Sequence, residues 1–165
     1  MISIKLDDTK AIKVIDEIAK QLKQPRKLYG ELGEELRKQH QTRIKKEMAP
    51  DGKKWKPLQS WYKKTKKRGG ILRATGELHN TLAYNIGADS LEFGSPVKYA
   101  PTHQFGAVII PKRKKALALQ GGELGFAKKV NVPSRPWLGV SEDDITSLEQ
   151  RAIRHLNKML ERLNK

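Results

Sequence analysis

Two hydrophobic periods run along this chain. Ile2, Ile4 and Leu6 alternate with polar residues, the two-residue period of a short strand. Asp7-Asp8-Thr9 then offers side-chain acceptors for the free N–H groups of a helix start. Ala11, Ile15, Ile18 and Leu22 follow at helical spacing, and Pro25 ends that helix. Leu28, Leu32 and Leu36 share one face of a second helix, expected over about 26–48. Its end turns basic, which complements the negative end of the helix dipole. The last helix is the clearest. Ser141-Glu142-Asp143-Asp144 gives an N-cap and an acidic first turn. Ile145, Leu148, Ala152, Leu156, Met159 and Leu163 form its apolar stripe.

Between these helices the pattern shortens. Pro50-Asp51-Gly52 is a turn. The segment over about 53–70 has little periodicity and reads as an extended basic arm with a short helical turn. A short helix is expected over Leu72 to Leu82 with Thr75 as its cap. Leu82 to Gly94 reads as a hairpin, because Tyr84 and Ile86 alternate before Ala88-Asp89-Ser90 and Leu91 and Phe93 alternate after it. Tyr99 to Phe105 fits a compact helical turn closed by Gly106, where positive φ is easy. Val108-Ile109-Ile110 is a strand. Ala116 to Leu119 and Gly125 to Val132 pair across 120–124, giving a hairpin extension over about 111–132. The expected fold is a single α+β domain over 1–165: N-terminal helices, a small mostly antiparallel sheet with a long hairpin, and a C-terminal helix.

Composition narrows the possibilities. At 165 residues and 37% apolar content the chain can build one modest core. No stretch of about 18 apolar residues occurs, so no membrane-spanning helix is expected. The N-terminus lacks the basic start and apolar run of a secretory signal. The absence of cysteine excludes disulfides, thiolate metal sites and thiol catalysis, and suits a reducing cytoplasm.

Charge changes the picture most. The net charge is +16 and the pI about 10.1, which calls for an anionic partner or acidic protein surfaces. Between Arg37 and Arg73 only Glu47 and Asp51 oppose a long run of basic residues. The candidate nucleic-acid contacts are Arg43, Lys45, Lys46, Lys63, Lys64, Lys66, Lys67 and Arg68, with a second cluster at Lys112, Arg113, Lys114 and Lys115. Two readings stand: solvated loops, or a surface facing DNA phosphates. Trp55 and Trp61 within the arm either anchor it to the core or stack on bases.

Reactive constellations are missing. His40, His79, His103 and His155 form no His-Glu-x-x-His pair and have no second ligand at metal spacing. The Gly70 to Gly76 segment lacks the Gly-Lys-Ser/Thr ending of a phosphate loop, and there is no Gly-x-Ser-x-Gly elbow. Asp51 fits a turn better than a metal. No metal, cofactor or catalytic residue is expected.

What remains is a set of words rich in shape-fixing residues: Pro50-Asp51-Gly52 before Trp55; Leu72, Thr75, Gly76 and Leu78; Tyr99, Ala100, His103, Gln104 and Gly106; and Pro133, Arg135, Pro136, Trp137, Leu138 and Gly139. In this order, over about residue 26 to the C-terminus, they resemble the phage virion morphogenesis family of tail completion proteins found in Mu-like phages and prophages. The resemblance implies a non-enzymatic assembly protein acting in tail completion and head–tail joining. It implies a ring, with a hexamer as the guess, partnered by other tail or neck proteins, while the basic charge over about 37–73 keeps transient contact with phage DNA, or a DNA-binding module, as the alternative. The expected location is the host cytoplasm during assembly, and the virion tail or neck afterwards. His103 and Gln104 are expected to tie their turn to a neighbouring strand, with His103 either a structural histidine or a partner contact. Arg135, rigid between prolines, is expected to bind a carboxylate, either within the fold or across a subunit boundary. Trp137 is expected in the core.

Overall fold

The computed structural model describes residues 9–23, 25–66, 69–119 and 125–163. The expected first strand with its Asp7-Asp8 cap, the basic residues Lys67 and Arg68, and the hairpin tip at 120–124 lie outside the described residues. The elements run α1 (Thr9–Lys23), α2 (Arg26–Lys46), α3 (Ser60–Thr65), α4 (Glu77–Asn80), β1 (Ala83–Ile86), β2 (Leu91–Gly94), α5 (Ala100–Phe105), β3 (Ala107–Ile109), β4 (Leu117–Ala118), β5 (Phe126–Ala127), β6 (Val130–Val132) and α6 (Glu142–Leu163). This is an α+β fold with a C-terminal helix. Its strands pair two by two: β1 with β2, β3 with β6 and β4 with β5. The last two pairings are antiparallel and follow one another along a single long hairpin, with Ala107 opposite Val132 and Leu117 opposite Ala127.

The chain divides into two compact units, the first formed by 1–36, 84–93 and 142–165, the second by 37–83 and 94–141. In the first unit, Tyr84 packs its ring against Gly33 on α2, so closely that a Cβ at position 33 would sit 2.5 Å from the ring. The Tyr84 hydroxyl reaches Glu34 Oε1 at 3.2 Å, and the Tyr29 hydroxyl donates to the Asp89 carbonyl at 2.9 Å in the β1–β2 turn. Helix α6 is tied to α2 by Arg151 Nη2 to Glu35 Oε2 at 2.6 Å and His155 Nδ1 to Glu31 Oε1 at 3.0 Å. The apolar stripes are narrower than the sequence suggests. Ile15 on α1 is 63% exposed and Ile145 on α6 is also exposed, while Asp144 is buried in the first turn of α6.

Among the described residues the second unit holds the buried apolar ones: Ile44, Ala49, Trp55, Ile71, Leu78, Leu82, Val97, Ala100 and Trp137. Helix α2 stops at Lys46 rather than 48 because Glu47 takes a positive φ of 58° and turns the chain into the Pro50-Asp51-Gly52 loop. Asp51 Oδ1 accepts from Lys53 N at 3.0 Å, an Asx turn. The helix expected over 72–82 shrinks to Glu77–Asn80. Leu72 has φ of 60° and Gly76 is left-handed, and neither conformation continues a right-handed helix. The N-cap is Gly76, with no side-chain cap, rather than Thr75, whose Oγ1 accepts the Glu77 N–H at 3.3 Å from just outside the helix.

Candidate functional site

The second unit is assembled from its words, and almost every joint is a side chain gripping a backbone. Gln104, on α5, is the central one. Its Oε1 accepts from the N–H groups of both Trp137 and Leu138 at 2.9 Å, and its Nε2 donates to the Leu138 carbonyl at 2.9 Å. One side-chain amide therefore pairs with the 133–139 segment as a strand backbone would. Around it, Arg135 N donates to the His103 carbonyl at 2.7 Å and Ser134 Oγ to the Gln104 carbonyl at 2.8 Å. Trp137 is 3% exposed, with its indole N–H on the Ala100 carbonyl at 3.1 Å. Gly106 makes this approach feasible: its φ is 77°, and a Cβ there would lie 2.9 Å from both Ser134 N and Val132 O.

The first word docks on the last. Trp55 donates its indole N–H to the Pro136 carbonyl at 2.8 Å, so Trp55 is an anchor. Arg135 grips the next stretch of the arm, Nε to the Lys56 carbonyl at 3.0 Å and Nη2 to the Pro57 carbonyl at 3.2 Å. Within this chain Arg135 meets two carbonyls rather than the carboxylate expected inside the fold, because the rigid Pro133–Pro136 stretch lays the guanidinium along the arm's backbone. From α2, Arg43 Nη1 donates to the Gly139 carbonyl at 2.8 Å and the Gly139 N–H points to His40 Nε2 at 3.4 Å. Pro50 packs so close to Gly139 that a Cβ there would meet Pro50 Cγ at 2.7 Å.

Three of the words also line one cavity of about 740 Å³. Leu72 and Thr75 come from the second word, Tyr99 and His103 from the third, Pro133 and Arg135 from the last. The walls are mainly apolar, with Lys66, Lys129 and Glu77 adding charge. The His103 ring stands edge-on to Tyr99, centroids 5.6 Å apart, and its Nδ1 is buried with no hydrogen-bond partner among the described residues. Burial, and then the Arg135 charge, lower the His103 pKa and favour neutral imidazole. Burial likewise lowers the Arg135 pKa and, against the pull of Glu47, that of Lys66. Lys66 Nζ also bonds the Gly70 carbonyl. His103 and Gln104 therefore divide the work expected of the pair: Gln104 and the His103 carbonyl make the ties, to an irregular segment rather than a strand, and the His103 ring faces the cavity.

The basic candidates split. Lys45, Lys46, Lys63, Lys64, Lys112, Arg113, Lys114 and Lys115 are exposed, the last four in the turn between β3 and β4. Arg43 is buried and bound to Gly139, and Lys66 is half-buried at the cavity, so neither belongs to an exposed basic face. Two working residues went unread in the sequence. Glu47 Oε1 accepts the Ile71 N–H at 2.7 Å, and His40, almost wholly buried, meets Gly139. Helical spacing in the sequence places His40, Arg43 and Ile44 along one side of α2, with Glu47 just past its end in the same register, the only hint of either.

No group of three or more His, Asp or Glu that could hold a metal occurs among the described residues, and no helix there is long and apolar enough to cross a membrane. No solved structure matches this chain. It is 31% identical over 140 residues to tail completion protein S of Escherichia phage P2, covering 81% of this chain and 85% of that protein. The model of the phage virion morphogenesis family matches residues 6–157. Every word described above falls within that match, and the chain belongs to the phage virion morphogenesis family.

Proposed function

We propose that this protein is a non-enzymatic assembly component that completes the phage tail and joins it to the head, working with other tail proteins as a ring built from its own copies. Family membership supports the assembly role, as does the name of the phage P2 relative. The observation that carries the ring is the long hairpin. Phe105 is 78% exposed at its entrance, and Val108, Ile109, Ile110 and Phe126 along it are exposed as well. Among the described residues β3 and β6 pair only with each other at its base, so each shows an unpaired edge there. Large exposed apolar side chains beside free strand edges suit contact with a neighbouring chain. Native mass spectrometry of wild type and Val108→Lys tests this. A closed oligomer that falls to monomer in the variant, at unchanged thermal stability, supports the ring; identical assemblies reject it. Deleting the gene should leave tails unjoined to heads, and normal infectious particles would reject the assembly role itself.

The exposed cluster Lys112, Arg113, Lys114 and Lys115 favours a second reading alongside the first: transient contact with the genome. Duplex DNA affinity should then fall steeply with salt. No binding at low salt removes this reading and leaves the first intact.

A further inference from the structure

The cavity of the second unit combines two features that a purely structural pocket does not need. Arg135 is 5% exposed, and its described bonds run to the Lys56 and Pro57 carbonyls. Those carbonyls satisfy N–H donors but cancel no charge, and Arg135 makes no ion pair among the described residues. Buried charges are ordinarily paired. The His103 ring beside it keeps a buried Nδ1 without a partner among the described residues. In the lining, Lys66 and Lys129 add positive charge beside the Glu77 carboxylate, with Glu47 acting on Lys66 from behind the wall, while Leu58 and Ile71 contribute apolar wall.

We propose that this cavity is the docking site for a peptide segment of a partner tail protein that sets an apolar side chain beside a carboxylate. The apolar side chain fills the volume between Leu58, Ile71 and Val130. The carboxylate lies toward Arg135 and Lys129 and supplies the negative charge that the fold omits. A charged group held among desolvated donors and an aromatic anchor is the arrangement that dominates protein–protein affinity. The walls come from residues of three family words, so the segments that build the core also shape the receptor.

This inference rests on the reading that the protein works by binding other tail proteins, yet it fails separately. The test is NMR titration of the full ¹⁵N-labelled chain with acetyl-Phe-Asp-amide and its near-isostere acetyl-Phe-Asn-amide. The Asp peptide should shift the amides of His103, Lys129, Asn131 and Arg135. The Asn peptide should bind at least about tenfold more weakly, the loss of one charge-assisted contact. Lys129→Gln, at an exposed side chain, should weaken the Asp peptide severalfold and leave the Asn peptide unchanged. Equal binding of both peptides, shifts elsewhere, or no shift with either overturns the proposal. If the same amides move on dilution without peptide, the occupant is a second copy of this chain, and the partner assignment falls. A protein that still forms rings and completes tails while failing these titrations keeps its proposed function and loses only the pocket.

Discussion

The two units are held together by different means. The first is mainly helical, and most of its inter-element ties pair side chain with side chain, Arg151 with Glu35, His155 with Glu31 and Tyr84 with Glu34, beside one from Tyr29 to the Asp89 carbonyl. The second carries the buried apolar residues among those described, and its ties run mostly from side chains to backbone atoms: Gln104, Arg135, Trp55, Trp137, Arg43 and Glu47 all grip N–H groups or carbonyls. Partly exposed ion pairs contribute little, whereas a buried backbone group robbed of its partner costs the full desolvation of that group. The second unit should therefore be the brittle one, failing at single positions that the first would tolerate.

The largest effect should come from Trp137→Ala, which empties the centre of the second unit and removes the bond to Ala100. A loss of about 3–5 kcal/mol by urea denaturation is expected; a loss below about 1 kcal/mol would break the comparison at once. Next comes Gln104→Ala, which strands the N–H groups of Trp137 and Leu138 and the Leu138 carbonyl, at about 2–3 kcal/mol. Gln104→Glu keeps the acceptor and loses the donor, so it should fall between the two. If Glu equals Ala, the amide is not acting as a backbone surrogate. In the first unit, Arg151→Ala should cost about 1 kcal/mol or less, because the Arg151 side chain is 38% exposed. A cost matching that of Gln104→Ala would erase the distinction drawn here.

The smallest effect is a pH dependence. The folded state lowers the His103 pKa below its ordinary 6.5, so between those two values the unfolded chain binds more protons. Stability supplied by neutral His103 is full above pH 6.5 and is lost as pH falls through that value toward the lowered one. Burial and the Arg135 charge oppose protonation of His103, while Tyr99, pushed up by its own burial, stays neutral throughout this range. His103→Gln should flatten the stability profile between pH 5 and 7 relative to wild type. An unchanged profile would remove the histidine from the account.

The elements of both units were legible because periodicity records burial. The β1–β2 hairpin and the α5 turn with Gly106 stand where alternation and turn chemistry place them, whereas in the long hairpin only 117–118 and 126–127 pair as expected and 130–132 pairs with β3 instead of with 116–119. Boundaries failed where a non-glycine residue took positive φ, at Glu47 and Leu72, a conformation that no local pattern announces. The joints of the second unit were hidden for a different reason. Arg135 was expected to seek a carboxylate, and Glu47 passed for an isolated charge. Both instead hold peptide groups, which every residue carries and which therefore leave no complementary letter in the sequence. The words could be recognised together while their partners could not be named.

The joint between Trp55 and Pro136 spans 81 positions, and that between Arg43 and Gly139 spans 96. During synthesis the first word therefore leaves the ribosome long before the segment that will clamp it. Through most of translation Trp55, Ile44 and the basic arm have no closed core to enter, and closure waits for the stretch just ahead of α6. Contacts of such long range slow folding and lengthen the exposure of apolar surface. Copies made at high rate in one cell would meet one another in that open state, so the growth temperature and expression rate that give soluble protein should track the arrival of residues 133–139 rather than the stability of the finished fold.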